Sequence, residues 1–229
     1  MDVLSTLSNR TPTDLLAAFR QEAEPLVRLW LAELQKDFDA QNSHMAAKRY
    51  HVPDTIDSRK IYWEEGNKEM PPWLLTWNRC RQSCFTLFQR LKDRLAAVPE
   101  FSHLEWVYGD PKPNFVMGWA ENPRLGQVPQ HDFFRVTATD GSKFVLDFTA
   151  WQFGFRDWAF VFEDYEAMYL RNWRVIPRVD EEMARMLSEE MTDEPDRKKH
   201  VELRRRIGRM GDEEMMGAGD WDICLSDRL

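Results

Sequence analysis

The sequence lacks most of the features that would settle its class at a glance. It has three cysteines in 229 residues, an odd number that makes no disulfide framework. The expectation is a reduced, cytoplasmic protein in which a thiol is free for chemistry. No apolar run approaches the ~20 residues needed to cross a bilayer, so no membrane association is expected. The opening MDVLSTLSNRTPTDLL has no cationic segment leading into an apolar one, so a conventional secretory signal is not expected either. Basic charge is in deficit. The net charge of −8 argues against general nucleic-acid binding, because phosphate contacts need a clustered basic surface. There is no internal repeat, no G-x-S-x-G elbow for serine catalysis and no glycine loop to cradle phosphate.

What the chain has in quantity is large rings. Ten Trp and fourteen Phe suit either a core built from aromatics or an aromatic-lined pocket, and composition is compatible with both. The length fits a single domain over residues 1–229. Within it, residues 10–40 read as N-terminal helices, 78–175 as an α+β core, 178–210 as charged helices and 211–229 as an acidic tail.

Leu15, Leu16 and Phe19, then Leu26, Val27, Trp30, Leu31, Leu34 and Phe38 recur at helical spacing. Thr13 can cap this run, with Asp14 at the positive dipole end. Pro25 should kink it or divide it in two. Residues 41–72 are polar and broken by Pro53, Pro71 and Pro72, with one short element expected at Ile61-Tyr62-Trp63. A second helix is expected from Asn78 to about Ala97, its apolar stripe being Cys80, Cys84, Leu87, Phe88, Leu91 and Leu95.

The middle third turns to short β-type runs at His103–Tyr108, Phe115–Trp119, His131–Val136 and Phe144–Phe148, with Asp140-Gly141 as a hairpin signal between the last two. Trp158–Phe162 follows, then an expected helix Glu163–Trp173 and two charged helices, Val179–Met191 and Asp196–Met210. The latter carries Lys198, Lys199, Arg204, Arg205, Arg206 and Arg209 among acidic residues. It reads foremost as a solvated face laced with ion pairs and secondarily as a docking surface for an acidic partner. Helices beside an antiparallel sheet make the fold class α+β.

One set of residues has the makings of a catalytic site. A thiol acts as nucleophile when ionised, which a helix N-terminus and a neighbouring imidazolium both favour. With Asn78 as N-cap, Cys80 would be the second helical residue. Cys84, a turn further in, falls on the buried stripe and is the alternative nucleophile. His131 opens a strand, where a polar group can face a cleft. Asp147 interrupts the apolar FVLDFTA, and a carboxylate there needs a partner; an imidazole N–H is apt. For the two to share a sheet face, the hairpin loop must contain an odd number of residues. A five-residue loop, Thr137 to Gly141, would set them directly opposite; a two-residue Asp140-Gly141 loop would set them on opposite faces. The sequence allows both.

These motifs resemble those of the transglutaminase-like and papain-like thiol enzymes. Cys80 leading a helix with Cys84, Leu87, Phe88 and Leu91 resembles their nucleophile helix. His131-x-Phe-Phe-Arg-Val, then Asp140-Gly141 and Phe144-Val-Leu-Asp147-Phe-Thr149, resembles their His strand, turn and Asp strand. The resemblance covers residues 80 to about 154. It implies a papain-like or transglutaminase-like core and acyl transfer from an amide or ester through a Cys80 thioester, with His131 as base and then acid and Asp147 orienting it. No Gly directly precedes Cys80, no upstream Gln stands where papain-like enzymes place an oxyanion donor, and Asp132 follows the His where the family has a small or apolar residue.

The expected activity is therefore that of an amidohydrolase, deamidase or transamidase acting on a peptide, protein or small-molecule amide, with no cofactor. The backbone N–H of Cys80 would serve the oxyanion with Trp77 or Gln152. Trp77, Asn78, Trp151 and Gln152 are the expected substrate-binding or oxyanion residues, and Trp77, Trp151 and Trp158 the expected cleft lining. Zinc is disfavoured: Cys80, Cys84 and His131 offer three ligands, but a second close Cys or His pair is missing. The alternative is an inactive binding or regulatory protein of the same fold, using an aromatic cleft and the charged C-terminal helices.

Overall fold

The computed structural model describes residues 10–40, 47–51, 61–62, 72–76, 78–119, 130–190 and 195–211. Helix α1 spans Pro12–Ala40. Its start is a capping box at Thr11, two residues ahead of the expected cap. The Thr11 hydroxyl accepts the Asp14 amide at 3.2 Å, and the Asp14 carboxylate accepts the Thr11 amide at 3.0 Å. Pro12 fits the first helical position because the N–H it lacks would be unpaired there anyway. Pro25 lies inside α1 without dividing it, contrary to the expected two pieces. Leu26, Val27, Trp30 and Leu31 on the following turns are fully buried, and that burial outweighs one lost backbone bond.

After the short helix α2 (Pro72–Leu75) comes α3 (Cys80–Leu95). Strands β1 (Ala47–His51), β2 (Ile61–Tyr62) and β4 (Phe115–Trp119) form a small antiparallel sheet in the order β2-β1-β4. The main sheet contains β3 (Phe101–Pro111), β5 (His131–Ala138), β6 (Lys143–Leu146), β7 (Ala159–Val161) and β8 (Leu170–Val175). Its order is β7-β6-β5-β3-β8, antiparallel throughout. The protein is α+β.

Helix α4 (Phe162–Tyr169) is shorter than the expected Glu163–Trp173. Its second half is β8, which alternates along the sheet edge and pairs with β3 from Val107 to Pro111. Helices α5 (Val179–Glu190) and α6 (Pro195–Ile207) complete the described chain. The basic face of α6 is more than a solvated surface. Ile207 is fully buried, the Arg204 guanidinium stacks 4.6 Å over the Phe85 ring, and Arg206 pairs with Glu33. These contacts tie α6 to α3 and α1.

The main sheet is covered on both faces, which explains why every residue of β5 is buried. On one face Phe134 meets Phe88 of α3 and Phe144 meets Phe19 of α1, with ring centroids 6.2 and 5.3 Å apart. On the other, Phe133 packs on Tyr165 of α4 at 5.1 Å. The aromatic excess is spent mainly on this core.

The β5–β6 hairpin settles the question of faces. Ala138 and Ser142 close the loop through a 2.8 Å amide–carbonyl bond, leaving Thr139, Asp140 and Gly141 at the tip. Gly141 supplies the left-handed conformation, φ +89°. The loop is odd, as the shared face requires, but has three residues and not five. With Phe134 across from Leu146 and Thr137 across from Lys143, Asp147 lies across from Phe133. His131 is one diagonal step away on the same face.

Candidate active site

The head of α3 is built by an unusual turn. Asn78 has φ +56°, a conformation that Asn tolerates better than most residues. It turns the chain out of α2, and its amide donates to Gln152 Oε1 at 2.9 Å. Asn78 is therefore not the N-cap. Arg79 occupies that position without a side-chain cap bond, and Cys80 is the first helical residue. The thiol sits where backbone N–H groups lack helical partners and the dipole is positive.

The sulfur is lodged between the two neighbours of His131. Cys80 Sγ is 3.7 Å from the carbonyl oxygen of Gln130 and 3.9 Å from Asp132 Oδ2. Between them, the His131 side chain is fully buried and donates through Nε2 to Asp147 Oδ2 at 2.6 Å. Its other nitrogen, Nδ1, has no hydrogen-bond partner among the described residues. Phe153 packs edge-on against the ring at 4.7 Å. Burial pulls the imidazole pKa down, but the charge and hydrogen bond of Asp147, followed by the neighbouring Cys80, reverse this and raise it to about 10. The ring is an imidazolium at neutral pH.

Asp147 is satisfied on both oxygens. Oδ2 also accepts the Tyr165 hydroxyl at 2.8 Å, while Oδ1 accepts the Thr149 amide at 3.0 Å and the Thr149 hydroxyl at 3.3 Å. The bond from the amide two residues on is an Asx-type turn, and it ends the strand at the position where the carboxylate is needed. Tyr165 was not marked by the sequence. Its role arises from α4 crossing the sheet, and no local pattern announces that.

The remaining expected residues sort clearly. Cys84 faces the core with no exposure, and burial raises its pKa well above the usual thiol value. Trp151 and Gln152 lie in a short 3₁₀ helix, Ala150–Phe153, and both are buried. Gly154 ends that turn in the left-handed region, φ +77°. Gln152 Nε2 has no hydrogen-bond partner among the described residues, so a buried donor stands beside the turn leading into Cys80. Trp158 does not line a cleft; it is core, edge-on to Phe148 at 5.8 Å with the Arg20 guanidinium at 5.1 Å. What reaches Asp147 is the Trp158 carbonyl, which accepts the Asp147 amide at 2.7 Å. Trp77 lies outside the described residues, as does Trp63 of the expected element at 61–63.

Asp132, read from sequence only as a departure from the thiol-enzyme pattern, is a constituent of the site. Its Oδ1 accepts the indole N–H of Trp106 at 2.7 Å. Burial raises its pKa, against the opposing effects of the Trp106 bond and the charges of Arg81 and His131. Among the described residues, no group of three or more His, Cys, Asp or Glu side chains is placed to hold a metal ion. No described helix is long and apolar enough to cross a membrane. Compared with known proteins, the chain matches no family model, no curated protein and no solved structure.

Proposed function

We propose that the protein is a thiol-dependent acyl-transfer enzyme, an amidohydrolase, deamidase or transamidase, working on an amide of a peptide or small molecule through a Cys80 thioester on a papain-like or transglutaminase-like core. The observation that carries the reading is the 2.6 Å bond from His131 Nε2 to Asp147, made by an imidazole whose other nitrogen is uncommitted and whose two chain neighbours both touch the sulfur. A purely structural His–Asp pair would need no thiol at a helix head beside it.

The chemistry follows from these positions. The imidazolium stabilises the Cys80 thiolate. Sγ attacks the amide carbonyl carbon, and the carbonyl oxygen takes the negative charge. The backbone N–H of Cys80 and Gln152 Nε2 are the donors available to it. As the intermediate collapses, the C–N bond breaks and His131 passes its proton to the departing nitrogen. The thioester then yields to water or an amine, from which His131 takes a proton, and the thiolate–imidazolium pair is restored. Asp147 holds the ring orientation throughout.

The test is alkylation of Cys80 by iodoacetamide across pH. The expected result is rapid modification below neutral pH, slowed by about tenfold or more in His131→Ala, since a free thiol titrates near pH 8.5. The burial of the pair, with Cys80 7% exposed and His131 closed off, favours the competing reading of an inactive binding protein. Alkylation with an ordinary thiol pH profile, indifferent to His131→Ala, would establish that reading instead.

A further inference from the structure

The steps above give no task to Asp132, and its surroundings differ from those of a structural carboxylate. It is 4% exposed. Oδ1 has the Trp106 indole, but the only donor facing Oδ2 among the described residues is the Cys80 thiol at 3.9 Å. The neighbouring cations are engaged elsewhere. Arg81 pairs with Glu182 at 2.6 Å, and the His131 imidazolium pairs with Asp147. Tyr108 lies directly across the ladder from Asp132, with the Arg174 guanidinium stacked on its ring at 5.0 Å. Asp132 thus has no ion-pair partner among the described residues. By contrast Asp147, equally buried, has four donors.

A carboxylate buried this way is costly unless it takes a proton or meets a cation. It also stands beside the nucleophilic thiol, so the charge it carries is one that an arriving substrate meets. Arrival of a positive group at Oδ2 gives it the partner it lacks. Burial, the largest effect, and the nearby Glu182 hold the Asp132 pKa up, while Trp106, Arg81 and His131 oppose them.

We infer that Asp132 is a specificity-determining residue, receiving an ammonium or guanidinium of the substrate next to the amide that Cys80 attacks. This deepens the acyl-transfer reading and rests on it. A cationic substrate pairs with Asp132 as it docks and is held at the sulfur; a neutral one gains nothing there, and an anionic one is repelled by the carboxylate.

Three small thiol reagents sharing one reactive group test this without knowledge of the natural substrate: the 2-aminoethyl (ammonium), methyl (neutral) and 2-sulfonatoethyl (anionic) methanethiosulfonates. In each, Sγ attacks the thiosulfonate sulfur, the S–S bond breaks, methanesulfinate leaves and a mixed disulfide forms. Rates are followed on the Cys80 peptide by mass spectrometry at physiological salt, where distant surface charge is screened. A carboxylate this close should make the ammonium reagent faster than the sulfonate by about tenfold or more. The ratio should collapse in Asp132→Asn, which keeps an oxygen for Trp106, and return in part in Asp132→Glu. An unchanged ratio in Asp132→Asn overturns the assignment. Should the variants not fold, the wild-type ratio serves: it must shrink as falling pH protonates Asp132, and a pH-independent ratio is equally fatal. The neutral reagent and its dependence on His131 report on acyl-transfer chemistry separately, so the two ideas fail by different readouts.

Discussion

Two buried ion pairs sit on one face of the same sheet, four residues apart along β5, and they are built differently. Arg135 pairs at 2.7 Å with Glu105, its direct neighbour across the ladder. Its guanidinium rests against the rings of Phe162 and Trp173 at 5.1 and 4.6 Å, and Glu105 stays 19% exposed. That pair stitches β3, β5, α4 and β8 together and keeps an outlet to water. His131–Asp147 has no outlet. Its carboxylate is saturated by protein donors, one imidazole nitrogen has no hydrogen-bond partner among the described residues, and a thiol lies against both chain neighbours of the ring. A buried charge pair alone therefore marks nothing. The distinguishing sign is a pair whose acceptor is fully satisfied while its donor keeps an unpartnered nitrogen and has a nucleophile against its chain neighbours.

The largest effect expected from breaking this contrast is in Asp147→Ala. It strands the His131 charge together with the Tyr165 and Thr149 hydroxyls, and removing one partner of a buried pair costs about 3–5 kcal/mol. Equilibrium denaturation should show that loss together with slowed Cys80 alkylation. If the variant unfolds like the wild type, the pair contributes little and the site geometry is wrong.

pH separates the two pairs without mutation. His131 holds its proton more tightly folded, at about 10, than at its ordinary 6.5. Its contribution to stability is thus complete below about 6.5 and is lost as pH rises through about 10. At about 1.4 kcal/mol per unit, the loss is on the order of 5 kcal/mol. A guanidinium as a chemical class does not give up its proton at such pH, so the second pair offers no matching handle. Stability measured from pH 6 to 10 should fall, and the fall should flatten in His131→Gln. A flat wild-type profile would contradict the imidazolium assignment.

Much of this was legible in the sequence where it depended on local pattern. The stripe on α3 and the strand character of 131–136 and 144–146 are periodicity; the strand expected to reach Phe148 stops at Leu146, where the Asp147 turn begins. That Asp147 needs a partner, with an imidazole as the apt one, was readable from a polar residue stranded in an apolar run; whether His131 shares its face was not. What escaped depended on neighbours distant in the chain or on one-residue detail. Pro25 was read as a breaker because its local cost is visible and the burial of Trp30 and Leu31 is not. Trp173 looked helical until β3 offered it an edge to pair with. Asn78 looked like a cap because its preference for caps and its tolerance of the left-handed region are equally good readings of the same side chain. The hairpin loop was undetermined because Asp140-Gly141 suits both a two-residue turn and the tip of a three-residue one. Asp132 and Tyr165 were invisible as site residues, since their roles depend on Trp106 and Asp147 arriving from other strands.

Glu105→Gln gives the next smaller effect. It leaves Arg135 its stacked rings and a neutral acceptor, so about 1–2 kcal/mol should be lost. Cys80 should alkylate as in the wild type, because nothing in that pair reaches the sulfur. Coupling between Glu105→Gln and thiol reactivity would show that the two pairs form one network, and the contrast drawn above would not hold.

The smallest change is the sharpest probe. Tyr165→Phe removes a single hydroxyl that donates to the same oxygen as His131, Asp147 Oδ2. The ring stays packed on Phe133 and Phe155, so no cavity opens and the stability cost should be about 1 kcal/mol. The functional consequence has a definite sign. With one fewer donor, Oδ2 carries more of its charge toward His131, which strengthens the remaining bond and holds the imidazolium proton more tightly. The alkaline limb of the stability profile should move to higher pH in the variant, opposite to the direction expected of mere loosening. A shift to lower pH would mean that the hydroxyl orients the carboxylate and does not compete for it, and Tyr165 would then belong with Asp147 as a positioning residue.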